Sequence, residues 1–396
     1  MTHPAHLKLE LATRGVRLDP SVREAALALP RWGRRMVDLV LPGDLCVSAR
    51  LADSSPLTLA EQDDRHVLVH QAAPGADVVR VDVRPVPVPR FYQRTTARGV
   101  PMWRVATVHG SHLIVHPSAV CGFSVHGSPC RFCVEGARTG GEDETATVAE
   151  VVEVVRAAFD EGACELVYFN TAFFDADDGG IGFLAPYIEA VRKHFDTLVA
   201  TQVHPPRDLR WVDRTYAMGV DALSYNLEIF DKDALNRQCI GRVRYIGRER
   251  YLDALAHAAK IFPSGTVWCD LVLGAEPTAS TMAGIDALAG MGVVPVASIP
   301  CATEPALDPA ALAPVLAHLY RTVKERGINL GWVRDLTLAI SPLEARHFAG
   351  ADARLAVTVQ QLTRSRLGGL AARGLARFRR RLRVRRVRES FDSAHL

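Results

Sequence analysis

No stretch of this 396-residue sequence approaches the ~18 consecutive apolar residues of a membrane-spanning helix. The opening MTHPAHLKLELATRG carries no apolar block of the signal-peptide kind, so a cytoplasmic location is the expectation. No period of ~20–50 residues recurs, so nothing points to a solenoid or propeller. Cysteine is too sparse and too unevenly spread for a disulfide framework: there are eight in the chain, three of them within residues 121–133. In a reducing compartment such clustered thiols read as metal ligands. Acid is absent from Arg364 to Arg388, a stretch with eleven arginines. With Glu389 and Asp392 included, residues 364–396 carry a net +9, which leaves −6 on residues 1–363 of a chain whose total is +3.

What is present is the composition of a folded protein, 48% hydrophobic and 23% charged. The chain exceeds the ~250–300 residues at which a single core stops growing, so one large domain with accessory parts is expected. Between about residues 110 and 300, short β-branched runs alternate with segments of three- and four-residue apolar spacing, the pattern of successive βα units. Strands are predicted at HLIVHP, ELVYFNT, TLVATQVH, ALSYNLEI, TVWCDLVLG and VVPVASIP, with helices between them. Gly162, Gly219 and Gly292 stand where those helices would end. The fold expected is α/β: a partial (βα)6 barrel of the TIM type over 106–340, an N-terminal α+β accessory region over 1–105, and a helical extension with a basic tail over 341–396.

The stretch CGFSVHGSPCRFCVEG follows the first predicted strand directly, placing Cys121, Cys130 and Cys133 at that strand's C-terminal end, where barrel enzymes keep their chemistry. Three thiolates can hold three irons of a [4Fe–4S] cluster, whose usual complement is four, leaving one iron for a small chelating ligand. The alternative is a structural zinc site of the Cys3His type, with His126 or His116 as fourth ligand. On that alternative the chain is a non-enzymatic binding protein with a basic arm.

These residues resemble the radical S-adenosylmethionine (radical SAM) superfamily, in which the loop after the first barrel strand carries three cysteines and an aromatic residue before the last. CRFC supplies the final pair, with Phe132 in the aromatic position, while the eight-residue first gap departs from the usual three. DALSYNLEIFD on the fourth strand is similar to a segment of biotin synthase and the hydrogenase maturases, whose matching positions here are Asn226 and Glu228. Two-residue spacing would put both on one face of a strand. LVLGAEPT resembles a glycine-rich segment bordering the adenine, with Gly274 and Glu276 as the matching residues.

The resemblance implies a [4Fe–4S] cluster on Cys121, Cys130 and Cys133, S-adenosylmethionine as second cofactor, and reductive cleavage to a 5′-deoxyadenosyl radical that takes hydrogen from a small-molecule substrate. It also implies an external electron donor such as flavodoxin or ferredoxin. Asn170 and Thr171 in FNTAFF stand where the family binds the amino group. His204 in QVHPP lies at the third strand's exit. In GRERYLDAL, Arg250 is the candidate for a ribose or carboxylate contact, although strict alignment puts Tyr251 at that spot. The remaining cysteines, Cys46, Cys164, Cys239, Cys269 and Cys301, read as buried thiols. The arginine tail reads as a basic amphipathic helix for an anionic membrane surface, or one docked on the acidic body. Nucleic acid is the weaker fit because aromatics for base stacking are scarce in it.

Overall fold

The computed structural model describes residues 3–22, 28–31, 34–71, 78–118, 120–133, 145–300, 307–334, 336–350, 370–371 and 374. The arginine tail and Cys301 therefore lie almost wholly outside the described residues.

A first sheet is built from β1 (Arg17–Leu18), β2 (Ala28–Arg31), β3 (Arg34–Leu41), β4 (Leu45–Arg50), β5 (Leu57–Gln62), β6 (Arg65–His70) and β7 (Val79–Pro85). Its order is β1-β5-β6-β7-β3-β2, with β4 also paired to β3, and only the short β1–β5 pairing is parallel. The expected accessory region is thus a seven-stranded sheet, more β-rich than its proline content suggested. The helix Pro4–Arg14 starts on a proline, buries Leu7, Leu9 and Leu11, and packs against β4 and the helix Pro309–Glu325.

The second sheet holds β8 (Ala106–His109), β9 (His112–Val115), β10 (Leu166–Asn170), β11 (Leu198–Gln202), β12 (Ala222–Ser224), β13 (Val267–Val272), β14 (Val294–Ser298) and β15 (Ala339–Ile340). Strands β9 to β14 run parallel in sequential order, which makes them the six strands of a partial (βα)6 barrel. β8 and β15 close its two edges antiparallel, a device the period-based reading does not contain because both are so short.

The intervening helices form where the apolar spacing puts them. Val148–Asp160 begins with a reciprocal capping box between Thr147 and Glu150, and Gly162, Gly219 and Gly292 follow their helices at φ of 69°, 102° and 84°. Two further helices, Lys232–Gln238 and Ile240–Tyr245, precede Arg248–Ile261 in the connection after β12. The sequence reading had no element there.

Candidate active site at the strand exits

Cys121 leads into a short helix, Gly122–Val125, wedged against the exits of β10 and β11. Gly122 donates its N–H to Phe173 O at 2.9 Å, and a Cβ there would stand 2.8 Å from that oxygen. Phe123 stacks on Phe173 at 4.0 Å between centroids and 8° between planes, and His204 meets both rings edge-on at 5.4 and 5.5 Å. On the other side Gly241 lets Phe123 and Ser128 approach; a Cβ at 241 would fall 2.5 Å from Ser128 O. The eight residues between Cys121 and Cys130 are therefore a brace, joining the exits of β10 and β11 to the helix pair that follows β12.

The loop then fastens at its far end. Arg131 donates its N–H to Gln238 O at 2.9 Å, and Cys133 donates its N–H to Cys130 O at 3.1 Å. Phe132 is half-buried against the core, Cys130 is buried, and Cys121 and Cys133 are half-buried. Among the described residues no three His, Cys, Asp or Glu side chains are drawn together at ligating distance, so the three thiols share a loop without forming a closed metal set. Their donor chemistry suits iron or zinc. Cys130 is in hydrogen-bond contact with Cys239, and that bond, aided by the Arg242 guanidinium, holds the Cys130 thiol below its ordinary value against the opposing effect of burial.

Arg242 is the centre of the mouth. It is buried, donates through Nη1 to Tyr251 Oη at 2.9 Å and to Asn226 O, and pairs through Nη2 with Glu228 at 3.1 Å. Burial pushes the Glu228 carboxyl up, and Arg242 pulls it back down. The expectation that Asn226 and Glu228 share one face of a regular strand is corrected: β12 ends at Ser224, and Glu228 has φ 72°, in the left-handed region, while still exchanging backbone hydrogen bonds with Asp270 and Val272. The twist turns Glu228 toward Arg242. Asn226 Oδ1 instead accepts from Ser224 Oγ–H and, at 3.0 Å, from Asp270 N–H.

His204 is buried, with Nδ1 in hydrogen-bond contact with Tyr251 Oη at 3.0 Å, and burial beside Arg242 keeps it neutral by lowering its pKa well below the usual histidine value. Asn170 ends β10 on the wall of an internal cavity, whereas Thr171 is buried and donates to Ala172 O at 2.5 Å. Gly274 has φ 76°, and Leu307 closes over it; a Cβ there would meet Leu307 Cδ2 at 2.3 Å. Glu276 turns away from the mouth, accepting from Asp231 N–H at 2.6 Å and Thr281 Oγ1–H at 3.2 Å, so it ties the β13 exit to the helix Lys232–Gln238. Arg250 takes part in none of the mouth's hydrogen bonds; its neighbour Tyr251, the residue that strict alignment favours, occupies that place.

Below the mouth the barrel interior encloses a cavity of about 300 Å³. Its walls include Tyr168, Gln202, Trp268, Asp270 and Val296, with Val333, Arg334, Leu336 and Thr337 from the segment before β15. Tyr168 donates to Gln202 Oε1 at 2.6 Å and leans on Trp268 at 5.7 Å between centroids. Sequence reasoning missed Arg242, Cys239 and Asp270. Only Asp270 left a signal, as the one acid inside an apolar strand, two residues from Trp268 and hence on its face.

No protein-family profile matches the chain, and neither does any curated protein. Solved structures are similar to it in chain path. Methylornithine synthase PylB is 12% identical with a TM-score of 0.42, over 53% of this chain and 62% of that one. The FeFe-hydrogenase maturase HydG from Carboxydothermus hydrogenoformans is 13% identical with a TM-score of 0.43, over 55% of this chain and 53% of that one. A radical SAM methyltransferase from Sphaerobacter thermophilus is 15% identical with a TM-score of 0.38, over 72% of this chain and 81% of that one. The chain spans less than two thirds of the length of the first two.

Proposed function

We propose that this protein is a radical SAM enzyme acting on a small molecule held inside the half-barrel. The observation that supports it best is the three-thiol loop at the exit of the first of six parallel strands, braced against the exits of the second and third. When bound there, an iron–sulfur cluster supplies one electron and S-adenosylmethionine supplies the 5′-deoxyadenosyl radical that takes a hydrogen atom from the substrate.

The chain's own residues do the placing. Cys121, Cys130 and Cys133 would hold the iron, and Cys130 is readied for it because Cys239 and Arg242 favour its thiolate. Arg242 fixes a positive charge at the mouth, and Asn226 locks the β12 exit to β13. The stacked Phe123–Phe173 pair and neutral His204 shield the exits of β10 and β11 from water. An electron donor of the flavodoxin or ferredoxin class completes the reading. The arginine tail is assigned to an anionic membrane surface on its sequence alone; no helix among the described residues is long and apolar enough to cross a membrane.

The test is anaerobic purification with metal analysis, followed by incubation with S-adenosylmethionine and dithionite. The expected outcome is brown protein with about four irons per chain and 5′-deoxyadenosine formation that Cys121→Ala/Cys130→Ala/Cys133→Ala abolishes. Colourless protein holding zinc, or undiminished product from the triple variant, overturns it.

A further inference from the structure

The cavity wall carries a carboxylate that the mouth uses only in part, through a hydrogen bond with the Asn226 side chain. Asp270 lies in the middle of β13, and its Oδ1 is buried without a hydrogen-bond partner among the described residues. Arg242, whose charge acts on it, directs its Nη groups at Asn226 O, Tyr251 and Glu228. The other charged groups on the cavity wall have partners of their own. Asp221 pairs with Arg192, and Arg334 stands 3.9 Å from Glu165. Burial makes the ionised form of this aspartate costly, and the Asn226 side chain and Arg242 offset that only in part, so a cation at the open Oδ1 is favoured.

Its surroundings say what kind. On the same face of β13, Trp268 stands beside Tyr168, giving an aromatic wall next to the carboxylate. Ile114, Ala200, Val294 and Val296 make most of the remaining surface apolar. The volume of about 300 Å³ lies at the small end of the ~300–1,000 Å³ usual for small-molecule sites.

We propose that this cavity binds a small primary amine with an apolar or aromatic body, its ammonium on Asp270 and its body against Tyr168 and Trp268. The ammonium supplies a donor to Oδ1, the carboxylate oxygen that has none among the described residues. Asp270 is thus the specificity-determining residue for the substrate class, an assignment that depends on the radical SAM reading only in calling the ligand a substrate.

The experiment measures binding and needs no turnover. Phenethylamine, 2-phenylethanol and 3-phenylpropionate, which share a ring and differ in charge, are titrated into the full chain at pH 8 by calorimetry and ligand-observed NMR. Phenethylamine should bind at least about tenfold tighter than the alcohol, and the acid weakest. Asp270→Asn should bring the amine to the alcohol's level and leave the alcohol unchanged. Equal or inverted ranking in the wild type, an amine preference surviving Asp270→Asn, or no saturable binding of any of the three overturns the proposal. Displacement of phenethylamine by S-adenosylmethionine also overturns it, because the cavity would then be the cofactor's. Absence of 5′-deoxyadenosine formation, by contrast, counts against the enzymatic reading and leaves the binding result standing.

Discussion

Among the described residues two buried cations, Lys8 ahead of the half-barrel and Arg242 in the connection after its fourth strand, are treated differently. Lys8, on the first helix, is fully buried; its Nζ donates to Leu336 O at 2.6 Å and forms an ion pair with Glu344. Glu344 is itself held by a capping box with Ser341, accepting its N–H at 2.8 Å. Lys8 Nζ and the two Glu344 oxygens are thus each engaged. Arg242, in the mouth, is shared among Glu228, Tyr251, the Asn226 carbonyl and Cys130, while its Nε is without a partner among the described residues. The first arrangement is a closed clamp that favours a single structure. The second keeps unspent capacity where three strands, a cysteine loop and two helices converge, which is what a site that must receive something else requires.

Breaking the clamp should cost the most stability. Lys8→Met leaves a buried carboxylate unpaired and should lower unfolding free energy by about 3–5 kcal/mol, seen as a drop in the urea midpoint. Adding Glu344→Gln should recover more than half of the loss. Arg242→Met should cost less, about 1–3 kcal/mol, because burial already biases Glu228 toward its neutral acid, while the same variant should take away most of the iron bound on reconstitution. If Arg242→Met destabilises more than Lys8→Met and leaves iron content intact, the contrast between clamp and site fails.

The smallest effect is one of pH. Burial raises the Asp270 carboxyl from 3.8 to about 7. The folded chain therefore keeps a proton that the unfolded chain has released, and the wild type loses stability as pH rises through that window. Asp270→Asn has no such proton. Its urea midpoint relative to the wild type should increase from about pH 4 to about pH 8, whereas a difference independent of pH would place Asp270 in a solvated setting.

The barrel was legible because its strands are short, β-branched and separated by helices with regular apolar spacing ended by glycines, so period and punctuation agree at Gly162, Gly219 and Gly292. The place of the cysteine loop, directly after the first parallel strand, was legible from the order of elements. Arg242 and Cys239 were not, since their meaning depends on a connection that folds back over the strand exits, and nothing local in CIGRVRY announces that return. Glu228 was placed on the right strand exit with the wrong geometry, because alternation assumes regular backbone and φ 72° breaks it. The seven-stranded sheet was hidden by prolines and short strands whose pairing partners are far apart in sequence, as with β1 and β5 or β3 and β7.

The clamp between Lys8 and Glu344 also sets an order of events in synthesis. The two residues are 336 positions apart, so at about 5–20 residues per second the lysine leaves the ribosome roughly 20–70 s before its partner. Until then burying Lys8 would leave its charge without a counterion. The helix Pro4–Arg14 can rest on β4 through its leucines well before then, but its lysine is neutralised only when residue 344 arrives.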